Sequence, residues 1–284
     1  MTVTSLDFSQ KRDLLPLAHV TGALRAVAAP VGLEFFLMGA TARDVMLRHA
    51  YNIEPQRLTE DIDFAVMVRD WETFEALRSG LVASGDFVPR PGSATHRLQF
   101  KGGLPLDILP FGGIERNDRT IAWPPDHETI YDCFGAREAF DTSVIALLPQ
   151  GVRLRIASIP ALALLKVTAW QDRKYTHPGR DAPDLLLYLK SYLDCGNLDR
   201  ATSEHQDLFD VDAYDYEAAG ARLLARDLVK LLDAPAIRRV LKILSSEAVE
   251  EGPLLLAQQS GINLEVARRL VEAFCDELFR YVQG

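Results

Sequence analysis

The hydrophobic pattern of this chain changes character once, and that change limits what it can fold into. In the first half, short apolar runs rich in β-formers alternate with helical stretches and glycine turns. From Ile159 onward the apolar residues recur almost wholly at helical spacing. Such a sequence specifies an α+β architecture, a mixed sheet with helices packed on it followed by an all-helical C-terminal domain. Leu14 to Ala29 reads as an opening helix that stops at Pro30 and Gly32, and Glu34 to Met38 as a strand that reaches Gly39. Ala42 to His49 and Trp71 to Leu81 read as helices, with Ile62 to Val68 as a strand between them. Thr95 to Phe100 and Leu104 to Leu109 flank Lys101-Gly102-Gly103, whose glycine pair signals a hairpin. The stretch beyond Pro110, through Trp123-Pro124-Pro125, reads as irregular, and Val152 to Ile156 alternates like an edge strand. The domain boundary is therefore expected at 150/151, giving domains 1–150 and 151–284. The second holds helices over 161–172, 182–193, 214–232, 235–244 and 264–282, with Pro183 and Pro235 suited to first turns.

Composition bears on this reading in three places. With 284 residues, 48% of them hydrophobic, the chain can bury a core in each of two domains. Cys133, Cys195 and Cys275 are far apart and form no CxxC pair, which suits a reducing compartment, and the cytoplasm is expected. The start lacks the apolar segment of a signal peptide, and no window is expected to approach the roughly 20 apolar residues of a membrane helix. The net charge of -9 argues against a protein that coats nucleic acid through bulk electrostatics. Residues 151–180 run against that balance, with Arg153, Arg155, Lys166, Arg173, Lys174 and Arg180 against the one acid Asp172. That stretch is either a phosphate-facing surface or a set of solvated faces.

Three acids carry the chemistry. Asp61 and Asp63 lie two apart at the start of a strand-like run, so both side chains point to one face. Magnesium takes hard oxygen ligands, typically one or two carboxylates together with substrate phosphate oxygens. Asp210-Val-Asp212 has the same spacing but sits in an acidic loop before a helix, where it reads as a solvated turn and cap. Two features separate the first pair from the second. Asp107 stands in another strand-like run after the hairpin, and Gly39-Ala40-Thr41 joins a strand to a helix N-terminus, where free NH groups favour a phosphate. Three acids and a phosphate seat are the minimal kit for two-metal phosphoryl or nucleotidyl transfer. Lys166, in an apolar helix, must snorkel outward or meet an anion, and snorkelling is the commoner fate. Arg173 and Arg180 have a plain alternative in surface salt bridges to Asp172, Asp181 and Asp184. His96 reads as a half-exposed strand histidine. No P-loop, GxGxxG after a strand, HExxH or cysteine with a base partner is present.

Phe36-Leu-Met-Gly-Ala-Thr-Ala-Arg-Asp44, Thr59-Glu-Asp-Ile-Asp-Phe64 and Leu106-Asp-Ile-Leu-Pro-Phe-Gly112 together resemble the nucleotidyltransferases of the DNA polymerase β superfamily, especially the AbiEii/AbiGii toxin-like branch. Leu165-Lys166, Asp172-Arg173 and Arg180-Asp181 to Asp184 resemble that branch's Lys, Arg and Arg-Asp-x-x-Asp helices, so the likeness covers roughly residues 20 to 195. The resemblance implies a magnesium-dependent transfer of a nucleoside monophosphate from an NTP to an acceptor hydroxyl. Asp61, Asp63 and Asp107 would hold two Mg²⁺ ions, Asp107 helping to activate that hydroxyl. Gly39, Ala40, Thr41 and Arg43 would form the phosphate turn, Lys166 and Arg173 would reach the triphosphate, and Asp181 or Asp184 would face the nucleotide. The acceptor implied is an RNA end such as tRNA, while the acidic whole fits a small molecule or a protein side chain equally, and a toxin implies an antitoxin protein partner. One departure stands out: the family has Gly-Ser at the turn, whereas here Ala40 follows Gly39. A nucleotide-binding protein without catalysis therefore stays open as an alternative, as does a metal-dependent phosphoesterase or nuclease using the same acids.

Overall fold

The structure, a computed structural model, describes residues 5–55, 61–90, 96–209 and 215–283. The chain divides into two compact units, Met1–Val45 with Arg57–Ser158, and Met46–Gln56 with Ile159–Gly284. Strands of the first unit are β1 (Ser5–Asp7), β2 (Phe35–Met38), β3 (Ile62–Val68), β4 (Phe87–Pro89), β5 (Arg97–Phe100), β6 (Leu104–Gly112), β7 (Thr120–Ala122), β8 (Ile130–Asp132), β9 (Val144–Leu147) and β10 (Arg153–Ile156). Its helices are α1 (Leu15–Ala28), α2 (Gly39–Asp44), α3 (Trp71–Ala83) and α4 (Ala136–Asp141). Eight strands form one mixed sheet in the order β1-β9-β10-β2-β3-β6-β5-β4, and β7 and β8 make a separate hairpin.

Alternation along β3 decides what each face of the sheet does. Ile62, Phe64, Val66 and Val68 are all buried, and α3 covers this side, where Phe74, Leu77 and Leu81 meet Leu98 and Ile108. Phe35 stands edge-on to Phe64 on the same side, with Arg25 of α1 over its ring. The opposite side is apolar at one end only. There Phe36, Phe111 and Phe140 of α4 form a triangle with centroids 5.7, 6.2 and 5.9 Å apart. Towards the start of β3 that same side turns acidic.

Four expectations are corrected in this unit. Val152 to Ile156 is not an edge strand: β10 lies between β9 and β2, antiparallel to one and parallel to the other. It alternates because Leu154 and Ile156 are fully buried while Arg153 and Arg155 keep their charged ends outward, so the periodicity was right and the placement wrong. The unit boundary consequently falls at 158/159 instead of 150/151. The stretch after Pro110 is not irregular but holds β7, β8, α4 and β9. Finally, among the described residues one helical stretch, Arg12–Val31, is long and apolar enough to cross a membrane by length and composition. Its Leu17, Val20 and Leu24 are buried within the first unit, which requires the same apolar composition.

The second unit contains α5 (Ile159–Arg173), α6 (Ala182–Ser191), α7 (Leu198–Glu204), α8 (Tyr216–Val229), α9 (Ala234–Leu244), α10 (Leu255–Gln259) and α11 (Leu264–Gln283). Asp215 and Asp233 cap α8 and α9 by accepting from the NH groups of Ala218 and Ala236. Pro183 and Pro235 occupy first turns, as their fixed φ favours. The 46–56 segment belongs here: Tyr51 lies against Gly196, where a Cβ would come within 3.2 Å of the ring. Asp210-Val211-Asp212 lies outside the described residues.

Replacing Phe111, 1% exposed at the centre of its aromatic triangle, with alanine should lower stability by about 3–5 kcal/mol. Urea unfolding followed by fluorescence checks this, as a lower midpoint.

Candidate active site

At Gly39 the chain leaves β2 and enters α2. Its φ is +71°, and a Cβ there would stand 2.0 Å from Asp63 Oδ2. Glycine is thus required twice, by the left-handed backbone and by the carboxylate lying against its Cα. Thr41 donates from Oγ1 to the backbone carbonyl of Asp61 at 2.9 Å, tying α2 to the residue that precedes β3. A hydroxyl so engaged still has lone pairs to accept with. Ala40 is half-buried between them. Arg43 is wholly buried, and its Nε and Nη2 donate to Asp44 Oδ1 at 2.8 and 2.6 Å. Its guanidinium is therefore packed inside the unit and not presented on the surface.

Asp63 and Asp107 are direct partners in the parallel β3–β6 ladder. In-register neighbours in such a ladder point to the same face, and Asp61 stands two residues before Asp63, just outside β3. Asp61 and Asp63 are half-buried, while Asp107 is only 9% exposed. The donor set is hard oxygen throughout, which suits magnesium in kind, and the missing Cβ of Gly39 lets the Asp63 carboxylate lie against the turn. The acids are not gathered into a finished centre, however. Among the described residues no three His, Cys, Asp or Glu side chains form a metal-holding group.

A residue the sequence reading passed over stands among them. Arg97 on β5 pairs with Asp107 in the antiparallel register, and its Nε is 3.4 Å from Asp107 Oδ2. The signal was available, because the Gly102-Gly103 turn fixes which residues of the hairpin face each other. His96 is half-exposed, as expected, but stands just before the strand. Its ring packs edge-on to Trp123 at 5.0 Å, and it lines the apolar hollow under α3. Burial, with Arg97 next to it, pushes its pKa down to about 4 from 6.5.

In the helical unit Lys166 does not snorkel. It is 7% exposed, and Nζ lies 3.0 Å from Asp181 Oδ1 and 2.7 Å from Asp184 Oδ2. Arg173 adds two contacts to Asp181, 2.7 Å from Nη2 to Oδ1 and 3.1 Å from Nε to Oδ2. With Asp181 and Asp184 at 2% and 3% exposure, these are buried pairs and not the surface bridges expected. Asp181 occupies the cap position of α6 without capping it, because its carboxylate is taken by the two cations. The basic stretch 151–180 is correspondingly less free than its sequence implied: Arg155 lies over the Phe140 ring and 3.5 Å from Glu34. Lys174 sits over Trp170 at 4.6 Å.

Comparison with known proteins follows from this geometry. The family model described as "Nucleotidyl transferase AbiEii toxin, Type IV TA system" matches residues 22–280. Among solved structures, ANT(2")-Ia in complex with adenylyl-2"-tobramycin is 16% identical, covering 64% of this chain and 90% of that one, with a TM-score of 0.37. An antigenic nucleotidyltransferase-like protein from Paracoccidioides brasiliensis is 17% identical over 68% of this chain and 89% of that one, TM-score 0.39. The Thermotoga maritima CCA-adding enzyme complexed with tRNA is 14% identical over 96% and 83%, TM-score 0.28. Likenesses this distant add nothing to what the family match establishes. No curated protein matches the chain.

Two outcomes are expected of these side chains. Lys166→Met removes the buried cation that Asp181 and Asp184 share, Asp181 keeping Arg173, and should cost about 3–5 kcal/mol, seen as a lower thermal midpoint that Asp184→Asn in the same chain partly restores. As pH falls from 6.5 to about 4, the unfolded chain takes a proton on His96 that the folded chain refuses, so stability drops over that window. Its share is about 1–3 kcal/mol, measured as the difference in the pH slope of stability between the parent and His96→Gln.

Proposed function

The chain belongs to the AbiEii nucleotidyltransferase toxin family and is a nucleotidyltransferase, and we propose that it moves a nucleoside monophosphate from a nucleoside triphosphate to an acceptor hydroxyl. The observation that carries this reading is the register of β3 with β6, which sets Asp63 opposite Asp107 beside the Gly39 turn. In the reaction the acceptor oxygen bonds to the α-phosphorus, the bond from that phosphorus to the bridging oxygen breaks, and pyrophosphate leaves with the electron pair. Asp61 and Asp63 would hold two magnesium ions, with Asp107 completing the site. Those ions, when bound, supply the charge that neutralises the leaving pyrophosphate and lowers the pKa of the acceptor hydroxyl.

The chain's own groups do the remainder. Gly39 opens the turn whose backbone NH groups receive a phosphate, and its missing Cβ lets the Asp63 carboxylate stand against that turn. Thr41 fixes that turn to the strand bearing the acids, so the phosphate seat and the carboxylates keep one spacing. Asp107, the most buried of the three, accepts the hydroxyl proton. Arg43 acts from inside, as a brace on α2 through Asp44. For the helical unit we propose that the Lys166, Arg173, Asp181 and Asp184 quartet faces the nucleotide. Arg173, whose side chain is 36% exposed, offers the accessible charge, whereas Lys166 would have to exchange a carboxylate for a phosphate.

The acceptor we propose is an RNA end, tRNA being one such end, and the protein partner an antitoxin, the latter supported by the family's description as a toxin of a type IV toxin–antitoxin system. The compartment we propose is the cytoplasm, which three free, buried cysteines suit.

Incubation with each α-labelled nucleoside triphosphate, Mg²⁺ and total RNA should move label to RNA. Asp61→Asn and Asp63→Asn, folded as judged by circular dichroism, should each lower that transfer by about 100-fold or more. Transfer at the parental rate in both variants would remove the assignment.

A further inference from the structure

The acid face carries a charge problem that its own register creates. Asp63 and Asp107 are direct ladder partners, on strands about 4.8 Å apart, and Asp61 stands two residues before Asp63. Carboxylates that close disfavour one another's ionised form unless a cation stands near. Arg97 is placed to supply it. It faces Asp107 across the β5–β6 hairpin, with Nε 3.4 Å from Oδ2.

The contact is of an unusual kind. A guanidinium that grips a carboxylate donates two bonds at about 2.7–2.9 Å, as Arg173 does to Asp181. Arg97 Nε instead is buried and makes no hydrogen bond. It neutralises Asp107 by proximity and is not locked to it. Its side chain is also 41% exposed, so it has solvent to move into. Lys166 offers the contrast: 9% exposed at the side chain and held by two carboxylates within 3.0 Å, it has nowhere to go.

From these observations we propose that Arg97 is the resident counter-cation of the acid face, holding Asp107 in the metal-free protein and giving way when a divalent cation arrives. This rests on the reading of Asp61, Asp63 and Asp107 as metal ligands. Arg97 is here a positioning residue: it sets how tightly the site takes its ion, because a divalent cation must displace one positive charge to bind. It also accounts for acids that share a face without forming a finished metal cluster.

The test is isothermal titration of Mg²⁺ and, separately, Mn²⁺ into the full chain without nucleotide, a readout independent of turnover. Arg97→Gln and Arg97→Met both remove the competing charge and should bind either ion about fivefold more tightly or better. Arg97→Lys keeps the charge and should stay within about twofold of the parent. Asp107→Asn should lose binding. If Asp107→Asn loses binding while neither neutral Arg97 variant binds more tightly, the counter-cation role is overturned and the metal-site reading stands. If Asp107→Asn binds as the parent does, both fall together.

Discussion

The pairing of β3 with β6 is the constraint on which the candidate site depends. Because side chains alternate along a strand, a slip of one residue in that ladder would carry Asp107 to the α3 side and bring Leu106 or Ile108 to the acids. The register is held from both faces. Ile62, Phe64 and Val66 are buried on one side together with Leu106 and Ile108, and Phe36, Phe111 and Phe140 are wedged together on the other. The apolar packing therefore fixes the position of the carboxylates, which could not fix it themselves, since they repel.

Charge is handled differently in the two units. In the helical unit, two cations and two carboxylates meet in a nearly closed interior, where every contact is short. Such pairs gain little net stability over apolar packing but are costly to break, so they make α5 and α6 specific for one another. On the acid face Asp107 meets Arg97 through a contact that is long and half-exposed. The first arrangement suits structure, and the second leaves charge to be met by something that arrives.

Much of the fold and site could be read from residues in order. The run Ile62 to Val68, the hairpin about Gly102-Gly103 and five long helices each declare themselves through local period or turn chemistry. The β3–β6 pairing sets Asp63 beside Asp107, two acids the sequence offered for one site through their place in strand-like runs. What escaped needed partners distant in the chain. β10 looks like an edge strand from its alternation, yet it lies between β9 and β2. The short strands β1, β7 and β8 have only three residues each, too few to show a period. Lys166 reads as a snorkelling lysine until the turn before α6 brings Asp181 back against it, fifteen residues on.

Sequence by itself indicated which residues could take part: a glycine after a strand, two aspartates two apart at a strand's start, a third in the neighbouring hairpin, and a helical second half. Those are properties of period, chirality and turn geometry, which act over a few residues. Tertiary structure alone decided how far the acids would be answered by cations. Arg97 reaches Asp107 across a ladder, and Lys166 and Arg173 are committed to Asp181 and Asp184. Electrostatic partnership depends on distance and burial in space, and neither is written in the spacing of residues along the chain.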